Sequence, residues 1–151
     1  MRQAVKDGAN IIYGDLDFEM KDRELRDGAW VQPIVTEGIP FSSKSYEEEF
    51  FGPVFNLYRV ASSKEILDYA NKSDYGLAGT IFTEDMEKAQ NYATRLRVGS
   101  VCINDVMASH SDMPSGGIKM SGYGRECGID GLHEIANSKS IINRNWEWIS
   151  R

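Results

Sequence analysis

Apolar positions in the first sixty residues fall in short runs, not in long amphipathic stretches. Asn10 to Tyr13 ends at Gly14, and Trp30 to Val35 contains Pro33. Both predict short strands, the second near a sheet edge because proline cannot donate to a ladder. The charged residues 15 to 28 between them predict a solvated loop. Val54 to Val60, mostly apolar, predicts a buried strand. Ahead of all these, Met1 to Ala9 has the pattern of the last turns of a helix closing at Gly8. That creates the expectation that further chain precedes it.

From residue 62 the period changes. Ser62 with Glu65 three positions on is a capping box, and Ile66, Tyr69 and Ala70 share a face of the helix it would start, which ends by Asp74. Ala78 to Phe82 predicts a strand. Thr83 or Asp85 caps the next helix, where Met86, Ala89, Ala93 and Leu96 recur at helical spacing before Gly99. Ser100 to Asn104 is the following strand. Strand, helix, strand, helix, strand over about fifty residues predicts right-handed crossovers and an α/β fold: a mostly parallel sheet with flanking helices. Residues 105 to 124 are irregular and rich in Ser, Gly and Met, a length of loop that usually binds something or is disordered. A helix from about Arg125 to Ala136 and a strand from Ser138 to Asn143 follow. With Trp146 and Trp148 beyond it, that last strand is expected to pair or pack outside its own domain.

Composition narrows the function classes. A net charge of −6 and a pI of about 4.9 argue against a nucleic-acid surface, which needs clustered Lys and Arg. At 151 residues and 41% hydrophobic, one domain can bury a core without a disulfide or metal. Cys102 and Cys127 form no CxxC pair and have no histidine at ligand spacing, so no metal site is predicted and a reducing, intracellular setting is expected. There is no apolar leader and no apolar run long enough to span a bilayer, which together predict a cytoplasmic protein without a membrane partner.

Few residues carry chemistry. Gly122-x-Gly124-x-x-x-Gly128, preceded by Gly116-Gly117, departs from a dinucleotide phosphate loop because its third glycine is one position late and no strand leads directly into it. A glycine-rich turn that lets backbones approach closely fits better. Cys102 in a strand and Cys127 in a helix read as small apolar packing. His110 and His133 read as solvated or structural. Glu47-Glu48-Glu49-Phe50-Phe51-Gly52-Pro53 is more informative. Glu47 and Glu48 suit solvent. Glu49, held against a Gly-Pro turn, could accept two hydrogen bonds from a ribose with a ring alongside.

Three ordered motifs then carry a resemblance over nearly the whole chain. They are Glu48-Glu49-Phe50-Phe51-Gly52-Pro53-Val54, Tyr75-Gly76-Leu77-Ala78, and Pro114-Ser115-Gly116-Gly117-Ile118-Lys119-Met120-Ser121-Gly122-Tyr123-Gly124-Arg125-Glu126. In this order they resemble the C-terminal portion of the NAD(P)-dependent aldehyde dehydrogenases. The resemblance implies aldehyde oxidation: a cysteine thiolate attacks, hydride passes to the nicotinamide, and water releases the acid. It also implies that Glu49 binds the nicotinamide-side ribose of NAD or NADP, that Phe51 is the ring beside it, and that Glu126 is an auxiliary proton relay or an Arg-paired structural carboxylate.

The departures are equally specific. The family's nucleophilic cysteine, its general-base glutamate and its Rossmann-type cofactor domain lie upstream of the first motif, and neither Cys102 nor Cys127 matches the nucleophile. The chain therefore resembles the later part of the catalytic domain, residues 1–136, followed by a C-terminal oligomerisation strand and tail, 137–151. Ser115 stands where many members carry Phe as a wall of the aldehyde tunnel, which suits a polar or carboxylated aldehyde such as succinate semialdehyde. Met107, Ser109 and Ser115 are the candidates for the substrate end. The isolated chain is expected to be inactive, and a homo-oligomer through the terminal strand is expected. The alternative is a non-catalytic module that self-associates or binds a full-length paralogue.

Overall fold

The computed structural model describes residues 1–143. The chain divides into two compact units, Met1–Ser73 and Asp74–Arg151.

The first unit opens with α1 (Arg2–Lys6). Ala9 N–H reaches Ala4 O at 2.9 Å and Gly8 N–H reaches Val5 O at 3.1 Å, the two bonds of a Schellman stop, with Gly8 at φ +118° as its left-handed residue. The expected closure at Gly8 is therefore present. Strands β1 (Asn10–Tyr13), β2 (Ile34–Glu37) and β3 (Val54–Leu57) form a sheet in the order β1-β2-β3, with β2 antiparallel to β1 and parallel to β3. The second strand starts later than the sequence pattern suggests. Pro33 has no N–H to offer a ladder, and pairing begins at Ile34, across from Val54.

Alternation sets the two faces of this sheet. Ile34 and Thr36 are buried, and the Thr36 hydroxyl donates to Asn56 Oδ1 at 2.7 Å, satisfying a polar group that burial would otherwise penalise. Tyr13, Val35 and Phe55 stand in register on the other face, where Phe55 remains 64% exposed. Ala4, Ala9 and Ile39 make a small core, against which Tyr46, Phe50 and Tyr58 pack. Helix α2 (Lys44–Glu47) and helix α3 (Ser63–Lys72) complete the unit. The expected capping box at α3 forms: Glu65 N–H donates to Ser62 Oγ at 3.4 Å, and the Glu65 carboxylate accepts from Ser62 Oγ at 3.2 Å and Ala61 N–H at 3.0 Å.

In the second unit, β4 (Tyr75–Gly76) pairs antiparallel with β7 (Ile118–Lys119), and β5 (Ala78–Ile81) pairs parallel with β6 (Ser100–Ile103). Helix α4 (Met86–Arg95), capped by Asp85 through Lys88 N–H at 2.9 Å, makes the crossover between β5 and β6. Helix α5 is Gly128–Glu134, shorter at both ends than the pattern suggests.

One expectation is corrected. The strands at 54, 78 and 100 do not share one parallel sheet: β3 pairs with β2, and β5 with β6. The alternation located strands and helices but not their partners, which depend on pairing between segments distant in sequence. Residues 138–143 pair with no strand among the described residues, and Ile141 and Ile142 are 85% and 86% exposed; the pairing expected of this segment is with a partner outside its own domain. Trp146 and Trp148 lie outside the described residues.

Candidate functional site

The candidate residues gather in two places, one in each unit. In the first, Ser43 sets the frame. It caps α2 by accepting from Ser45 N–H at 3.1 Å, and its hydroxyl donates to Asp7 Oδ2 at 2.5 Å. With a second bond from Gln3 at 2.6 Å, this holds the Asp7 carboxyl below the usual carboxylate range. The chain leaves α2 in extended conformation at Glu48, and Glu49 follows in solvent.

Phe50 and Phe51 then part company. Phe50 is half-buried against the Ala4–Ala9–Ile39 core, whereas Phe51 sits at φ +46° and is 90% exposed. A bulky residue with positive φ is strained and needs a surrounding structure that imposes it. Here the turn is pinned on both sides, by Ile34 N–H to Pro53 O at 2.9 Å and Val54 N–H to Gly52 O at 2.8 Å. The ring of Phe51 thereby joins Phe18, Trp30 and Ile34 along a groove of about 380 Å3. Glu49 is two residues from that ring on an exposed segment but does not line the groove. The turn thus presents an exposed carboxylate, which can only accept hydrogen bonds when ionised, two residues from an exposed ring.

In the second unit, Met107, Ser109 and Ser115 line a single pocket of about 150 Å3, together with Ser100 and Leu77. The substrate-end candidates are thus brought together, although Met107 and Ser115 are eight positions apart in an irregular segment. Ser115 is fixed by a bridge to Glu126: each backbone N–H donates to the other's carbonyl at 2.7 Å. The Arg125 guanidinium adds a brace, with Nη1 donating to Gly117 O and Gly124 O, each at 2.8 Å. The Glu126 side chain is exposed and makes no ion pair among the described residues.

The glycines act through close approach. A Cβ placed on Gly99 would lie 1.8 Å from Gly116 O, so the backbone of 116–117 rests directly on the start of β6. This is the backbone-approach role expected of the glycine-rich segment. Cys102 and Cys127 are both free and half-buried, and Cys102 Sγ lies 3.5 Å from Met107 Sδ. His110 and His133 are exposed. Among the described residues no group of acids, histidines and cysteines could hold a metal ion, and no helix is long and apolar enough to cross a membrane. Sequence reasoning missed Ser100 and Leu77 as pocket residues. The available signal was Gly99, whose missing side chain lets the 116–117 backbone close the pocket beside Ser100.

Comparison with known proteins places this geometry. The profile of the aldehyde dehydrogenase family matches residues 1–141. A succinate-semialdehyde dehydrogenase [NADP(+)] of Deinococcus radiodurans is 39% identical over 141 residues, which is 93% of this chain and 28% of the relative. A betaine aldehyde dehydrogenase of Bacillus subtilis is 36% identical over 137 residues, 91% of this chain and 28% of the relative. The crystal structure of succinic semialdehyde dehydrogenase from Streptococcus pyogenes in complex with NADP+ superposes with a TM-score of 0.85 at 37% identity, covering 95% of this chain and 30% of that one. The chain spans less than a third of the length of these relatives. With the family profile spanning residues 1–141 and the mixed α/β fold in agreement, the chain belongs to the aldehyde dehydrogenase family.

Proposed function

We propose that this chain supplies the later part of an NAD(P)-dependent aldehyde dehydrogenase that oxidises a small polar aldehyde to the carboxylic acid. The observation that carries the reading is the convergence of Met107, Ser109 and Ser115 on one pocket within a chain of this family. A bound nicotinamide dinucleotide would accept the hydride that leaves the aldehyde carbon. Glu49 accepts hydrogen bonds from the ribose hydroxyls, and Phe51 packs beside the ring they carry. Ser115 and Ser109 give the substrate tail a polar wall where a larger aromatic side chain would make an apolar one. Glu126 is assigned a proton-relay role, supported by its exposed carboxylate and its backbone attachment to the pocket residue Ser115. The thiolate and general base of the family's reaction belong to the part of the relatives that this chain does not span, and so does the choice between NAD and NADP.

The domain reading proposed is a partial catalytic domain over 1–136 and an assembly segment over 137–151. The exposure of Ile141 and Ile142 supports the second part, since an apolar pair left in solvent favours association through it. Removing residues 137–151 should then lower the mass measured by light scattering to that of a monomer. A cytoplasmic setting goes with this reading. A carboxylated substrate, succinate semialdehyde, is favoured by the likeness to the Deinococcus succinate-semialdehyde dehydrogenase.

The test is twofold. The purified chain, assayed with NAD and NADP and several aldehydes, should produce no reduced cofactor. A chimera in which residues 1–141 replace the matched segment of the Deinococcus relative should oxidise aldehyde, and Glu49→Gln within it should raise KM for the cofactor. A folded chimera without turnover would overturn the reading.

A further inference from the structure

Glu49 is placed by the segments on either side of it, and α1 helps to hold both. On the N-terminal side α2 is a single turn, Lys44–Glu47, and Glu48 leaves it in extended conformation. A helix this short does not hold its own geometry in water, so its direction depends on what fixes its ends. Its first end is fixed at the buried Ser43. The Ser43 N–H donates to Pro40 O at 2.9 Å, its Oγ accepts from Ser45 N–H at 3.1 Å, and its hydroxyl donates to Asp7 Oδ2 at 2.5 Å. Beyond Glu49, Phe50 packs against the Ala4–Ala9–Ile39 core, as Tyr46 of α2 also does.

Asp7 is itself fixed before it meets Ser43. It caps the C-terminal end of α1, where its N–H donates to Gln3 O at 2.9 Å. The Gln3 side-chain amide donates to Asp7 Oδ1 at 2.6 Å, which leaves Oδ2 for the Ser43 hydroxyl. An ionised acceptor makes such a bond shorter and stronger than a neutral one. The two residues are 36 positions apart, so the bond ties the end of α1 directly to the start of α2.

We propose that Asp7 is a positioning residue for cofactor binding: through Ser43 it sets the direction in which α2 delivers Glu49, and so the place of the carboxylate that accepts from the ribose. The inference rests on the proposed reading of Glu49 and adds to it a residue of another element. Distance tolerance gives the effect its size. Hydroxyl-to-oxygen hydrogen bonds lie within about 2.5–3.0 Å, so a displacement of about 1 Å at Glu49 takes a ribose hydroxyl out of range. Asp7 acts through α2 and not by touching the cofactor.

The test uses the chimera described above and reads binding, not turnover. The Deinococcus relative is an NADP(+) enzyme, so the probe is NADPH, titrated by its fluorescence. Asp7→Ala should raise the dissociation constant several-fold, and Asp7→Asn, which keeps a hydrogen bond with Ser43, should fall between that variant and the parent. Ser43→Gly is an independent break, because glycine loses the hydroxyl yet remains a good N-cap; it should reproduce Asp7→Ala. In a Glu49→Gln background Asp7→Ala should add nothing further. Equal weakening by Asp7→Ala in both backgrounds would mark a general structural loss and overturn the inference, as would parent-like binding in Asp7→Ala or in Ser43→Gly. Parent-like binding in Glu49→Gln would overturn the ribose reading itself, and the inference with it. The isolated chain adds a readout without cofactor. There the Glu49 amide signal should move in Asp7→Ala and in Ser43→Gly while those of Ser62 and Glu65 at the α3 cap stay in place, and a Glu49 signal that does not move would overturn the inference.

Discussion

Ser115 and Glu126 are joined by a reciprocal pair of backbone hydrogen bonds, each 2.7 Å long, across ten intervening residues. The relationship ties a pocket residue to the motif that begins α5, and it uses main-chain groups alone. Closure of the loop between them therefore rests on backbone and not on side-chain identity at the two positions.

Ser115→Pro should break this closure. Proline removes the N–H that donates to Glu126 O, and a lost hydrogen bond with an orphaned acceptor costs about 1–3 kcal/mol. Glu126→Gln keeps both main-chain bonds, so its unfolding free energy from urea titration should match the parent within about 0.5 kcal/mol. Equal loss in the two variants would show that the Glu126 side chain, and not the backbone pair, holds the loop.

Gly99→Ala should be among the most damaging single-methyl changes in the second unit. The added Cβ would sit 1.8 Å from Gly116 O, and that neighbour is backbone, which cannot swing aside like a long side chain. Overpacking of this kind costs about 1–3 kcal/mol or more. Thermal unfolding of the variant measures the loss, and the Ser100 and Ser115 amide signals should shift together because both flank the contact.

How much of this was legible beforehand follows from how local each feature is. The Ser62–Glu65 box, the cap offered by Thr83 or Asp85 and the Gly8 stop depend on a few adjacent residues; the box and the stop are found where their residues predict, and Asp85 is the residue that caps. Strand partners depend on contacts between segments far apart in sequence, and there the reading placed three strands in one sheet when β3 pairs with β2 instead. At the site, Met107, Ser109 and Ser115 came from the motif resemblance. Ser100 could not be found that way because it belongs to β6, and only the 116–117 backbone packing against Gly99 brings it to the same pocket.

Asn104 offers a stability test at the end of β6. Its side chain continues the β5–β6 pairing: Oδ1 accepts from Thr83 N–H at 2.8 Å and Nδ2 donates to Thr83 O at 2.8 Å. Its φ of +56° lies in the left-handed region, which asparagine tolerates better than most residues. Asn104→Ala should lose both bonds and keep the backbone strain, costing about 1–2 kcal/mol by denaturant unfolding. Asn104→Gly should cost less, since glycine relieves the φ penalty; a larger loss in the glycine variant would show that strain plays no part.

Alkaline pH should weaken the first unit through Tyr58. Burial, with the nearby Tyr46 as the lesser cause, pushes its phenol from 10 up to about 12. Its ring packs against the Ala4–Ala9–Ile39 core, with the Tyr46 and Tyr69 rings 5.7 Å and 6.0 Å away. The folded chain thus keeps the Tyr58 proton at pH values where the unfolded chain has released it. Above pH 10 the unfolded state binds fewer protons, so stability falls as pH rises toward 12, and below pH 10 this contribution is fully present. Tyr46 is shifted in the same direction by its own burial, so it adds to the slope. Urea midpoints measured on both sides of pH 10 should decline less steeply in Tyr58→Phe than in the parent. An unchanged slope in that variant would place the alkaline sensitivity elsewhere, with Tyr46→Phe as the next comparison.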